Sequence, residues 1–286
     1  MRIAIVTDTS CNFTPAEAED LGIYILPMQI IFDEHSYKDA FEITVEQFYK
    51  QMEKSTIMPT TSQPAIGVFL EVYKKLVKEY DKVISIHPSG KLSGTVRTAQ
   101  MAATQVNENK IKVFDSKMVS ILSGYLVREA KRLVDKGKSY EMIIKRLEDM
   151  QDKTFAYIVL ENFEYLARSG RIPKIASRLT TLAQIKPILK ISSKGLELEK
   201  LVRTSKRALR QLEKTVYNYI DNVSYSLKVD VAHGDYMHVA EEVHERLVNK
   251  YPEIKSQIHR LAGVIGVHTG PEIVGFTITP EYSKDD

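Results

Sequence analysis

A chain of 286 residues with 43% apolar and 27% charged side chains has the composition of a soluble globular protein, which excludes a disordered or low-complexity chain. Forty Lys+Arg against 37 Asp+Glu leave a formal net charge of +3, too weakly basic to indicate a nucleic-acid partner. Cys11 is the only cysteine, so an internal disulfide and a cysteine-built metal site are excluded, and with them the signature of an oxidising compartment.

The apolar run at Met1 reaches Asp8 at once, without the basic start and longer apolar stretch of a signal peptide. No segment approaches the roughly 18 apolar residues of a membrane span. The expected location is therefore the cytoplasm, with no stable membrane insertion. Length alone suggests about two domains, at roughly 150 residues each.

In chain order, Arg2–Thr7 reads as a buried strand that ends in Asp8-Thr9-Ser10. Ile66, Phe69, Leu70, Tyr73, Leu76 and Val77 recur at helical spacing and predict a helix from about Pro64 to Tyr80. A second strand is expected at Lys82–Ile86, a helix from Ser93-Gly94-Thr95, a third strand at Lys110–Phe114, and helices over Val119–Val134 and Tyr140–Met150. Strands alternating with helices predict a parallel sheet with helices on its faces.

Beyond Asp152-Lys153 the pattern changes. A strand at Phe155–Leu160 is followed by a hairpin, Lys186–Ile191 and Leu196–Val202, joined at Ser192–Gly195. Helices over Thr204–Tyr219 and His238–Tyr251 then alternate with strands at Lys228–Ala232, Ile258–Gly263 and Glu272–Ile278. The expected division is an N-terminal α/β domain over 1–152 and a C-terminal α+β domain over 153–286.

Ligands of open parallel sheets bind beyond the carboxyl ends of the strands. Here those ends carry hydroxyls: Thr7, Thr9 and Ser10, then Ser89, Ser93 and Thr95, then Ser116. Thr61 and Ser62 stand before Pro64, where a helix N-cap is expected. Free N–H groups and the positive dipole end of a helix favour an anion there, and Gly94 allows close approach to the backbone. Neither phosphate-loop glycine pattern occurs, so a carboxylate suits these donors as well as a phosphate.

Other chemistry stays open on the residues alone. Ser93, His268 and Asp115 are the right types for a serine hydrolase, although no Gly-x-Ser-x-Gly elbow surrounds Ser93. The seven histidines, at 35, 87, 233, 238, 244, 259 and 268, form no His-Glu-x-x-His pattern, so no metal and no cofactor is expected. His268 lies in a predicted glycine-rich turn, Ile265–Pro271. Two basic stretches, Arg168, Arg171, Lys174 and Arg178, then Arg203, Lys206, Arg207 and Arg210, suit an acidic partner or a phosphate group.

Seven short motifs stand in order along nearly the whole chain: Thr61-Ser-Gln-Pro64 with Phe69, Leu92-Ser-Gly-Thr95, Asp115-Ser116, Arg168-Ser-Gly-Arg-Ile172, Lys186-Pro-Ile-Leu189, Arg203-Thr204 and Ile265–Pro271. In this order they resemble the DegV family of bacteria. The resemblance implies a two-domain fold, a parallel-sheet α/β domain and an α+β domain with a ligand cleft between them. It implies a lipid-binding subunit, non-catalytic alone, that holds a long-chain fatty acid. Such a subunit presents the carboxylate to a separate ATP-dependent kinase subunit for acyl-phosphate formation.

It also implies roles for residues: Thr61, Ser93, Gly94, His268 and Arg203 at the carboxylate, and Arg168, Arg171 and Lys174 at the docking surface. The chain differs from many relatives at Gly90, at Glu272 and in the Arg-Ser-Gly-Arg order of the basic loop. An esterase built on Ser93, or a carrier of another amphipathic carboxylate with no kinase role, are the alternatives.

Overall fold

The protein is represented by a computed structural model that describes residues 1–172 and 185–282. Lys174 and Arg178 lie outside the described residues. The chain divides into two compact units, Met1–Gln151 with Ala262–Val267, and Asp152–Leu261 with His268–Asp286.

The first unit is built on a parallel sheet. Strands β1 (Ile3–Asp8), β2 (Tyr24–Leu26), β6 (Lys82–His87) and β7 (Ile111–Asp115) lie in the order β2-β1-β6-β7, every pair parallel. β1 is buried along its whole length, as expected of a strand covered on both faces. Helices α3 (Ile66–Glu79) and α4 (Thr95–Val106) bring Phe69, Tyr73, Leu76, Ala99, Ala102 and Ala103 onto Val6, Val83 and Ile111. Helix α5 (Ile121–Asp135) packs on β1 and β6. It approaches so closely that a Cβ on Gly124 would stand 2.6 Å from the Cys11 carbonyl oxygen.

Two features of this unit depart from the sequence reading. A second, antiparallel sheet joins β4 (His35–Lys38), β3 (Gln29–Phe32) and β5 (Thr60–Ser62) in that order. Its strands have three or four residues each, too few to establish an alternating pattern, and β5 is all hydroxyl. Helices α1 (Pro15–Leu21) and α2 (Val45–Lys54) were also missed, although both open on capping boxes, Thr14 with Glu17 and Thr44 with Gln47. The Ser/Thr-x-x-Glu/Gln signature was readable at each.

The second unit is a six-stranded mixed sheet. Its order is β10 (Gly195–Val202), β9 (Lys186–Ser192), β8 (Phe155–Leu160), β13 (Ile273–Pro280), β11 (Leu227–His233) and β12 (Ile258–Arg260). All pairs are antiparallel except β11 with β12. Helices α8 (Ser205–Asn222) and α9 (Met237–Lys250) supply Ala208, Leu212, Val216, Val239, Val243 and Leu247 to one core with Val229, Val231, Phe276 and Ile278. Helix α6 (Tyr140–Lys153) leads into β8, and α7 (Glu164–Arg168) follows it. The strand expected at Ile258–Gly263 ends at Arg260. Helix α10 (Gly263–Thr269) begins three residues later and occupies the predicted glycine turn.

Candidate functional site

At the carboxyl end of β6 the chain turns through Ser89–Gly94 into α4. The turn is fixed by backbone bonds: Leu92 and Ser93 N–H both donate to the Ser89 carbonyl, at 2.9 and 3.0 Å. Ser93 Oγ lies 2.8 Å from Thr95 Oγ1 and accepts from Thr95 N–H at 3.3 Å. Gly94 is the N-cap residue of α4, at φ −75°, and makes no side-chain cap. The first turn of α4 contains no acid and does contain Arg97, a cation where the helix dipole favours an anion.

Gly94 is open to solvent, yet its own α-carbon is covered by a side chain. A Cβ built there would stand 3.1 Å from Gln63 Cδ and 3.4 Å from Gln63 Nε2, with Oε1 nearer still. Gln63 Nε2 donates to Thr98 Oγ1, one turn along α4. The close approach that the sequence attributed to an anion is thus made by a carboxamide from the segment after β5.

Thr61 is placed on β5, opposite Ile30 of β3, with its neighbours Thr60 and Ser62 exposed and Thr61 half-buried. The N-cap expected from Thr61 or Ser62 is corrected. α3 starts at Ile66 with Ala65 as its cap and no side-chain bond, leaving Pro64 outside the helix. A strand wins because Gln29, Ile30 and Ile31 offer Thr60–Ser62 a backbone ladder.

The triad types that Ser93 would require are otherwise engaged. The Asp115 carboxylate accepts from Gly90 N–H at 3.2 Å and Lys117 N–H at 2.7 Å, closing a turn. A Ser–His–Asp chain does exist elsewhere in this unit, and it is wholly buried. Tyr73 OH donates to Ser85 Oγ at 2.7 Å, Ser85 Oγ lies 2.7 Å from His87 Nε2, and His87 Nδ1 lies 2.6 Å from Asp8 Oδ2. Asp8 Oδ1 accepts from Ser10 N–H at 3.0 Å. All of these side chains lie inside the sheet and its helix layer, so the chain satisfies core polar groups rather than meeting a substrate. The available signal was period two: Ser85 and His87 share one strand face, beside a parallel strand that ends in Asp8. Burial pushes the Cys11 thiol well above its ordinary range, so it is an inert packing group.

In the second unit the structure brings together two residues that the sequence assigned to different tasks. Burial, with the charge of Arg171 as the smaller cause, lowers the His268 imidazole from 6.5 to about 4; the ring is neutral at neutral pH. His268 lies in the last turn of α10, which ends at Thr269, and Gly270 follows at φ +75°, where a Cβ would meet the Tyr165 ring of α7 at 2.5 Å. Arg168 pairs with Glu164, and Arg171 N–H donates to Ser169 Oγ at 3.2 Å. Arg203 is exposed in the bend between β10 and α8, whose cap is Thr204. Glu272 is exposed. Among the described residues no group of three His, Cys, Asp or Glu could hold a metal ion, and no helix is long and apolar enough to cross a membrane.

A parallel α/β unit with hydroxyls at its strand ends, followed by an α+β unit with a six-stranded mixed sheet, defines the class of protein. Residues 2–281 match the family described as "Uncharacterised protein, DegV family". Protein DegV of Bacillus subtilis strain 168 is 32% identical over 279 residues, 96% of this chain and 98% of that one. The chain therefore belongs to the DegV family. Its fold is similar to that of the crystal structure of B. subtilis DegV, described as a fatty acid binding protein. The TM-score is 0.89 at 31% identity, covering 98% of this chain and all of that one (100%). A DegV family protein from Thermus thermophilus, whose structure is described by its fatty acid binding, gives a TM-score of 0.90 at 29% identity over 98% and 100% of the two chains.

Proposed function

We propose that this protein binds a long-chain fatty acid, with the carboxylate held by Thr61, Ser93 and Gly94 at the start of α4. The observation that carries the reading is that helix start. It has no side-chain cap and no acid in its first turn, and it has a serine hydroxyl beside it. A carboxylate needs several donors at one point when it leaves water, and a helix N-terminus provides both N–H groups and a favourable potential. The relatives described as fatty acid binding proteins supply the ligand class.

The alkyl chain dominates the binding free energy. At roughly 0.8 kcal/mol per buried CH₂, a sixteen-carbon chain contributes on the order of 10 kcal/mol before the costs of association. The head-group donors set orientation and select acids over neutral lipids. His268 and Arg203 are further proposed ligand-binding residues.

The finer part of the proposal is presentation of the bound carboxylate to a separate ATP-dependent kinase subunit. One carboxylate oxygen would attack the γ-phosphorus of ATP, forming an acyl phosphate and releasing ADP. Arg168 and Arg171 are the proposed docking residues, at the end of α7 and just beyond it. The chain itself acts as the binding subunit, without a catalytic role of its own.

Titration with palmitate tests the reading. Ser93→Ala and Thr61→Ala should each weaken binding about ten- to hundredfold, the range for one hydrogen bond to a charged group, with thermal stability nearly unchanged. Wild-type affinity in both variants would remove the proposed head-group site.

A further inference from the structure

We infer that Gln63 is the positioning residue of this site, the group that holds the Thr61 strand against the first turn of α4 so that Thr61 and Ser93 act on one carboxylate. The inference rests on the fatty-acid reading above and deepens it.

Three observations meet at Gln63. Its carboxamide lies on Gly94, and a Cβ at that position would have Gln63 atoms as its three nearest neighbours. Its Nε2 donates to Thr98 Oγ1, whose residue is buried on α4. It precedes Pro64, and a residue before proline is confined to extended backbone. In an extended segment side chains two apart point to the same side. Thr61 and Gln63 are both half-buried, while Thr60 and Ser62 are exposed. The side of the segment that touches α4 through Gln63 is therefore the side that bears the Thr61 hydroxyl.

The energetic argument follows from geometry. Two hydroxyls on separate elements bind one anion well only if the elements are fixed before the anion arrives, because ordering them on binding subtracts from affinity. The backbone ladder from Thr61 runs to Ile30 of β3, not to α4. Gln63 supplies a polar tie to α4 itself, through the helix residue that carries the Thr98 hydroxyl. It also explains the glycine. At φ −75° any residue is tolerated by the backbone, so the requirement at position 94 is for space, and the carboxamide fills it.

The test compares palmitate with methyl palmitate, which has the same chain and no charge. Gln63→Ala should weaken palmitate binding about tenfold, equivalent to one lost charge-assisted contact. Methyl palmitate should change by less than about twofold, because the tail sets its affinity. Thr98→Val removes only the acceptor of the Gln63 bond and keeps the side-chain shape; it should shift the acid-to-ester ratio in the same direction. It decides the matter if Gln63→Ala does not fold. Unchanged palmitate affinity, or equal loss for acid and ester, would overturn the positioning role while leaving the fatty-acid reading intact. A wild-type chain that takes up neither ligand would remove the reading itself.

Discussion

Gly94 shows how a residue is constrained by a neighbour instead of by its own backbone. Alanine fits φ −75°, so the effect of Gly94→Ala must come through the Gln63 carboxamide. The clash falls on the far end of a flexible side chain at an exposed position, so it costs about 1 kcal/mol, the low end for overpacking. We expect Gly94→Ala to lower the melting temperature by a few degrees and Gly94→Ala/Gln63→Ala to restore it. A thermal double-mutant cycle measures the coupling; additive losses would contradict the contact. Titrating residues separate by sign. Asp39 is buried, and burial raises its carboxyl from 3.8 to about 7, with Asp8 adding repulsion against the bonds from Thr9, Val264 and Ala40. A raised carboxyl favours folding most below pH 3.8, and the contribution is lost as pH rises through 7. His268 runs the other way: lowered to about 4 from 6.5, it penalises the folded state as pH falls through 6.5 towards 4. The two oppose each other in the parent protein, so only differences between variants resolve them. Unfolding of Asp39→Asn should show a gain in stability at pH 8 that shrinks towards pH 4. His268→Gln should instead gain below pH 6. A pH-independent difference in either variant would contradict the assignment.

At the scale of elements, α10 is the informative case. Its entry is capped by residues far away in sequence: Ala262 N–H donates to Asn12 Oδ1 at 2.8 Å, and Val264 N–H donates to the Asp39 carboxyl. Asn12 is held at φ 65°, a conformation that asparagine tolerates. Gly263 and Gly266 serve close packing, since Cβ atoms there would meet Ile30 Cδ1 at 2.8 Å and Phe48 Cε1 at 2.6 Å. Asn12→Ala should destabilise the chain by about 1 kcal/mol, as for a lost N-cap; urea unfolding measures it, and no change would show that solvent replaces the cap. These contacts explain why the sequence suggested a turn: two glycines and a histidine carry the composition of a loop, and the helix forms because distant side chains satisfy its end. Elements with their own apolar periodicity, such as α3 and the β9–β10 hairpin, were legible. The β3–β4–β5 sheet was not, because strands of three or four residues hold no period, and Gln63 was hidden because a contact between the segment after β5 and α4 leaves no trace in spacing.

For the molecule as a whole, the chain order does not equal the unit order. Ala262–Val267 joins the first unit while the residues on either side belong to the second, an exchange that local composition could not announce. The seven motifs were legible because each is short, and their order is the signal. They named Thr61, Ser93 and His268 without showing what surrounds them. Arg171 also illustrates the limit, since its charge acts on His268 although the sequence suggested only an exposed docking loop. If docking is its role, Arg171→Ala should leave palmitate affinity within about twofold, as for an exposed charge, and reduce acyl-phosphate formation with the kinase subunit. Equal loss in both assays would assign Arg171 to the ligand instead. The most direct measurement of the central claim is mass spectrometry of lipid extracted from the denatured, purified protein, followed by palmitate and oleate titration of the stripped chain. The account predicts about one equivalent of a long-chain fatty acid and its uptake after stripping, as a tail-driven affinity requires. A lipid-free protein that takes up neither acid would contradict it.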